Sequence, residues 1–170
     1  MYVTLAQLAQ LPGARELSQV ATTEHEALVD YALMDATLRG GDRSAYSPDD
    51  IARADEAAER IVEAIGEADG VINGFLARRG YTLPLDPVPS IVATWSRQIT
   101  RYLLNKDRIT DERTDPIARD YRDALKFLQL TADGKFSLGM DDPQAGVGLG
   151  TVQIEGDERV FSRTASRAFR

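Results

Sequence analysis

Carboxylates are the reactive group that this sequence supplies most densely. The stretch SPDDIARADEAAER brings Asp49, Asp50, Asp55, Glu56 and Glu59 close together, and oxygen-rich clusters of that kind can hold a hard divalent cation. With no histidine beside them, a solvated acidic helix face is the expectation instead of a metal site. GVGLG at 146–150 has the glycines of a phosphate loop. It lacks the GK[ST] ending and the GxGxxG spacing, and it leads into β-biased sequence, so it reads as a flexible hinge. Ser96, Ser137 and Ser162 have neither a neighbouring base nor a GxSxG context, which leaves no activated nucleophile. The single histidine, His25, is expected on the surface in the first turn of a helix. The chain has no cysteine, which excludes disulfides, thiolate metal sites and cysteine nucleophiles. A protein without an active site, metal or cofactor is expected.

Two other patterns point to assembly. Gly66, Gly70 and Gly74 recur at every fourth position inside a helical stretch, and each costs roughly 1 kcal/mol relative to alanine. Gly70 falls nearly opposite the apolar seam of its helix, so the glycines form a smooth second face. Either the N-terminal helices press close there or a neighbouring subunit does. The second pattern is the tail RVFSRTASRAFR from Arg159 onward, which has four arginines and no acid. The whole chain carries −7; residues 1–158 hold 16 basic and 27 acidic residues, a net −11, against +4 for the tail. Arg159, Val160, Phe161, Ser162, Arg163 and Phe169 would offer apolar anchors and guanidinium forks to an acidic docking partner. The acidic body disfavours general affinity for nucleic acid.

These groups are positioned by helices. At 170 residues and 43% hydrophobic, the chain can form one domain with a real core plus an arm. Thr4 and Gln7 spell a capping box for a short helix that Pro12-Gly13 ends, with ARELSQV continuing after it. Thr23 with Glu26 repeats the box ahead of a helix through Leu28, Tyr31, Met34 and Leu38, which Gly40-Gly41 stops. Ser47 and Pro48 begin a long helix. Its apolar positions, Ile51, Ala54, Ala58, Ile61, Ile65, Ala68, Ile72 and Phe75, alternate gaps of three and four, a bundle-type seam. YTLPLDPVP breaks the helix and joins it to an antiparallel partner with Val88, Val92, Trp95, Ile99 and Tyr102 on one face, Trp95 and Tyr102 both in the core. Asp115-Pro116 starts a third long helix, burying Ile117, Tyr121, Ala124 or Leu125, and Leu128, with Gly134 just past its end. The fold class expected is mainly α, an antiparallel helical bundle over 1–140, followed by a linker and an extended C-terminal β-hairpin or arm over 141–170. MYVTLAQLAQLPG has neither the basic nor the apolar region of a signal peptide, and no apolar run approaches a membrane span. A soluble protein without membrane contact is expected.

INGFLARRGYTLPL, VPSIVATWSRQITRYLL, RDYRDALKFLQLTADGKFSLGM and finally RVFSR stand in an order and spacing that resembles the small Mu-like phage and prophage head-tail connector family. The resemblance is best over residues 66–140. It implies a structural adaptor subunit of the virion neck that assembles in the host cytoplasm as a ring of itself, usually twelve copies. Its partners would be the portal protein and a downstream tail or stopper protein, with DNA passing through the channel without specific binding. A stopper or tail terminator, with a ring of six, is the alternative within the same assembly. A DNA-binding regulatory helical protein is the alternative outside it.

Overall fold

The computed structural model describes residues 1–23 and 25–140. Six α-helices follow one another: α1 (Leu5–Leu8), α2 (Ala14–Ala21), α3 (Tyr31–Arg39), α4 (Pro48–Arg79), α5 (Ser90–Asn105) and α6 (Pro116–Ala132). No strand occurs among the described residues. The expected C-terminal hairpin and arm, the hinge at 146–150 and all six tail residues from Arg159 to Phe169 lie outside the described residues.

Helix starts follow local chemistry. Thr4 and Gln7 form a reciprocal capping box on α1, Ser47 caps α4 with Pro48 at the first position, and Asp115 caps α6 ahead of Pro116. Each cap satisfies backbone N–H groups that have no partner inside the helix. Gly13 carries the chain between α1 and α2 at φ 110°, a conformation open to glycine and strained for any other residue. At the end of α6 the Gly134 N–H donates to Thr131 O (3.0 Å) and the Lys135 N–H to Leu130 O (2.8 Å). With Gly134 at φ 73°, this is the expected glycine-terminated helix end.

The helix expected from Thr23 starts later. Thr23 and Glu26 close only a turn, the Glu26 N–H donating to Thr23 O at 3.1 Å, and α3 begins after Asp30. The Asp30 carboxylate accepts from both the Ala32 and Leu33 N–H groups, at 2.8 and 3.2 Å. Two donors on one charged acceptor outcompete the Thr23 box, and Val29, buried just before the cap, anchors the non-helical approach. Leu28 and Tyr31 consequently face solvent, contrary to the expected apolar face, while Leu33, Met34 and Leu38 are buried. His25 is exposed in the turn and not in a helix.

α4 is the spine. Its N-terminal half packs with α1, α2 and α3 around Leu8, Leu17, Leu33, Met34, Ile61 and Ile65. Its C-terminal half packs with α5 and α6 around Ile72, Leu76, Val92, Trp95, Ile99 and Leu128. Because α5 sets Val92 near Leu76 and Leu104 near the first cluster, it runs antiparallel to α4. The regular seam drifts over this length: Ile51, Ala58 and Phe75 are only half-buried, and Ala57, Ala64 and Leu76 are buried in addition. A straight helix turns roughly 20° per heptad away from a strict 3.5-residue repeat. The same drift moves Tyr102 out of the core position shared with Trp95. It stacks on Tyr121 of α6 (centroids 3.9 Å apart, planes 4° apart), and its hydroxyl donates to Glu112 at 3.0 Å. Val88 lies before α5 begins and is exposed.

Candidate functional site

The outer side of α4 presents a continuous face. Glu59, Val62, Glu63, Gly66, Glu67, Gly70, Val71 and Gly74 are all exposed. Val62 and Val71 keep 41% and 37% of their surface in solvent, which is high for valines in a helical bundle. A Cβ added at Gly66, Gly70 or Gly74 would meet nothing within 4 Å. The structure therefore overturns one of the two readings of the glycine pattern. The N-terminal helices do not press close there, because they pack on the opposite, inward side of α4 through Ala54, Ala57, Ile61 and Ile65. No contact within the described residues offsets the helix propensity lost at these three positions.

α6 presents a second outer face with Arg119, Arg122, Asp123, Lys126 and Phe127 exposed. Phe127 leaves 40% of its surface in solvent while stacking on Trp95 (6.4 Å, 15°) and meeting the edge of Phe136 (5.4 Å). The aromatic trio lets one large apolar ring reach the surface in a fixed orientation. Sequence reasoning missed this face. The signal was present in LKFLQL, which has more apolar residues than one buried stripe of α6 can take.

Elsewhere several polar groups pair with one another, while the Thr37 and Thr100 hydroxyls are buried with no hydrogen-bond partner among the described residues. Arg101 makes a bidentate pair with Glu16 (2.6 and 2.7 Å) that ties α5 to α2; those hydrogen bonds raise the Arg101 pKa. This pair sits in an open cleft of about 290 Å³ whose wall also includes Leu11, Thr94, Arg97 and Ile117. Its remaining charges are engaged too, Arg97 with the Thr94 hydroxyl and Asp120 with Arg119. Asp69, on the inward side of α4, accepts from the Tyr2 N–H (3.1 Å) and the Ser96 hydroxyl (3.0 Å), while the Tyr2 hydroxyl meets Asn73. Burial of the Tyr2 ring between these helices raises its phenol pKa. This latch across α4 and α5 was not legible from the sequence, since Tyr2 and Val3 carry no periodicity that marks them as core.

Three acids of the cluster at the start of α4 form ion pairs, while Asp49 and Glu59 form none among the described residues. Asp50 meets Arg53, Asp55 meets Arg43 across the loop, and Glu56 lies 3.5 Å from Arg60. The Ser47 hydroxyl, donating to Asp50, lowers that carboxyl's pKa. Among the described residues no group of three or more His, Cys, Asp or Glu side chains is arranged to hold a metal ion. No helix among them is long and apolar enough to cross a membrane.

Comparison with known proteins identifies the family. The family profile described as Bacteriophage Mu, Gp36 matches residues 2–149. The Mu-like prophage FluMu protein gp36 of Haemophilus influenzae (strain ATCC 51907 / DSM 11121 / KW20 / Rd) is 34% identical over 116 residues, covering 68% of this chain and 77% of that protein. Gene product J of Escherichia phage Mu is 33% identical over 103 residues, covering 59% and 70% respectively. With the match running through all six helices, this chain belongs to the Bacteriophage Mu Gp36 family of phage proteins.

Proposed function

We propose that this protein is a structural head-tail connector subunit, an adaptor that forms a ring between the portal and the tail components and lines the channel for DNA. The observation that carries the reading is the outer face of α4, a long smooth helix surface with no partner among the described residues, in a member of a phage protein family. A ring subunit needs a core seam and, in addition, helix faces for its neighbours. Its acidic body, −6 over residues 1–140 from 16 basic and 22 acidic residues, repels the DNA backbone and suits a channel through which DNA slides without sticking. The reading assigns no active site and no cofactor. Portal, downstream tail protein and further copies of the chain are its partners, and the virion neck is its location. The tail from Arg159 is the segment that docks on the portal or on an adjacent subunit.

Deletion of the gene from an inducible prophage should leave full heads and complete tails unjoined, with joining restored by the wild-type protein added to the extract. Changing Arg159, Phe161 and Arg163 together to alanine should keep the helical far-UV signal and abolish joining. Joined particles in the deletion strain would sink the connector reading. Normal joining by the triple variant would sink the docking role of the tail alone.

A further inference from the structure

The two outer faces fit each other. Glu59, Glu63 and Glu67 stand one per turn along α4, all exposed, and none has a hydrogen bond or ion pair among the described residues. On the same helix, Asp50, Asp55 and Glu56 have ion-pair partners and Asp69 is hydrogen-bonded to Ser96. Arg119, Arg122 and Lys126 stand one per turn along α6. Lys126 has no partner among the described residues. The Arg122 guanidinium donates only to the backbone carbonyls of Ala118 (3.3 Å) and Glu112 (3.1 Å), which leaves its charge uncompensated, and Arg119 pairs only with its neighbour Asp120 at 3.0 Å. Asp123 is the one acid on that exposed face, which therefore stays net positive.

Charge follows the same division on a larger scale. Residues 1–89 hold 7 basic and 15 acidic side chains, a net −8; residues 90–140 hold 9 and 7, a net +2. At 1.5 Å per residue, the glutamate row spans roughly 12 Å and the basic row roughly 10 Å, so the two can run alongside each other. Shape agrees with charge. Gly66 and Gly70 lack side chains and a Cβ at either would meet nothing within 4 Å, which leaves open helix surface beside the glutamate row, and Phe127, backed by Trp95 and Phe136, is a ring of fixed orientation beside Lys126 that can lie against it. α4 and α6 both bury their inner sides against α5 and each other, so their outer faces point out of different sides of the bundle and cannot meet within one chain.

We propose that copies of this chain associate head to tail, the α4 face of one (Glu59, Glu63, Glu67 around Gly66 and Gly70) receiving the α6 face of the next (Arg119, Arg122, Lys126 and Phe127). An interface between two different patches propagates, and it closes into a ring when the rotation between neighbours permits. The inference deepens the connector reading and rests on it for ring closure, though not for the contact itself. Matched charge rows set register and encounter rate, and the apolar contact between them excludes water.

Charge reversal tests this on the full-length protein. One variant carries Glu59→Lys, Glu63→Lys and Glu67→Lys; the other carries Arg119→Glu, Arg122→Glu and Lys126→Glu. Sedimentation at low salt should show the wild type associating as its concentration rises, less so as salt rises. Each variant alone should keep its helical circular dichroism and associate at least about tenfold more weakly. An equimolar mixture of the two should recover association, because every contact in an alternating assembly again joins opposite charges. If the α6 variant loses its helical signal, the single pair Glu63→Lys and Lys126→Glu gives the same comparison at side chains that have no partner among the described residues. A wild type that stays monomeric at every concentration, variants that associate like the wild type, or a mixture that stays apart would each overturn the proposal. So would loss of association on deleting residues 159–170, since the basic tail would then be the occupant of the α4 face. Joining of heads and tails by a variant that no longer self-associates would overturn the ring reading and leave the contact standing.

Discussion

The two halves of the bundle reach the same end by different means. Around the N-terminal half of α4 the core is aliphatic and assembled from short helices, whose buried members include Leu8, Leu17, Leu33, Met34 and several alanines. Around its C-terminal half the core is aromatic and assembled from long helices, with Trp95, Tyr2 and Tyr81 buried and Phe136 packed against them. Short helices contribute little stability of their own, so the first half depends on caps, turns and the Arg101–Glu16 tie to hold its pieces in place. Long amphipathic helices bring their own register, and the second half needs only side chains large enough to fill the space between them. Outer faces are the more regular where the helices are longer, and both faces proposed for assembly lie on α4 and α6.

Removing the largest side chain of the aromatic core should have the greatest effect. Trp95→Ala is expected to cost about 3–5 kcal/mol, and because α4 runs through both cores, thermal unfolding should remain a single transition. If instead two transitions appear, with the N-terminal half surviving, the halves are independent and the spine couples them less than its packing implies. Ile61→Ala and Ile72→Ala, on the same helix in opposite cores and both fully buried, should each cost about 2–5 kcal/mol. A cost below 1 kcal/mol at Ile61 would show that the aliphatic core is the weaker of the two.

The reliance of the first half on caps can be tested by comparing two candidates for one helix start. Asp30→Ala, losing two backbone hydrogen bonds, should destabilise by about 1 kcal/mol, and Thr23→Ala by a few tenths at most. Equal effects would restore the Thr23 box as a helix start. Gly70→Ala should go the other way, stabilising the monomer by about 1 kcal/mol, since the added Cβ meets nothing and the helix gains propensity. Destabilisation there would mean that the outer face is covered.

The smallest effect concerns acid. Hydrogen bonds from Ser44 lower the Asp42 pKa and those from Ser47 lower that of Asp50, while the Arg113 N–H and Thr114 do the same for Asp111. A folded pKa below the unfolded value means stability that is present above the ordinary carboxyl range and lost as pH falls through the folded pKa. Melting curves from pH 5 to pH 2 should show a modest decline, shallower in Ser47→Ala; identical slopes would show that the cap hydroxyl does not bias Asp50.

Legibility followed the same line as the two cores. The start of α4, its seam, the proline break and the aromatic helix after it were readable, because periodicity and caps are local properties that a long helix repeats several times over. The beginning of α3 was misread because Thr23 with Glu26 and Asp30 both spell plausible caps, and the two hydrogen bonds to Asp30 together with the burial of Val29 select the second. Tyr2, Val3 and Phe127 could not be placed, since each is positioned by neighbours distant in sequence: Asp69 and Asn73 for Tyr2, Trp95 and Phe136 for Phe127.

The sequence by itself determined that this is a helical chain with a long central helix and a glycine row on that helix opposite its apolar seam. Tertiary structure alone decided that the glycines face solvent and that the exposed glutamate row of α4 and the exposed basic row of α6 are both left uncovered by the described helices. It also decided that Glu59, Glu63, Glu67 and Lys126 have no hydrogen bond or ion pair among the described residues. Helix periodicity says which residues share a face, but which face is covered depends on where the other helices pack, and that is a property of contacts across the chain and not of any stretch within it.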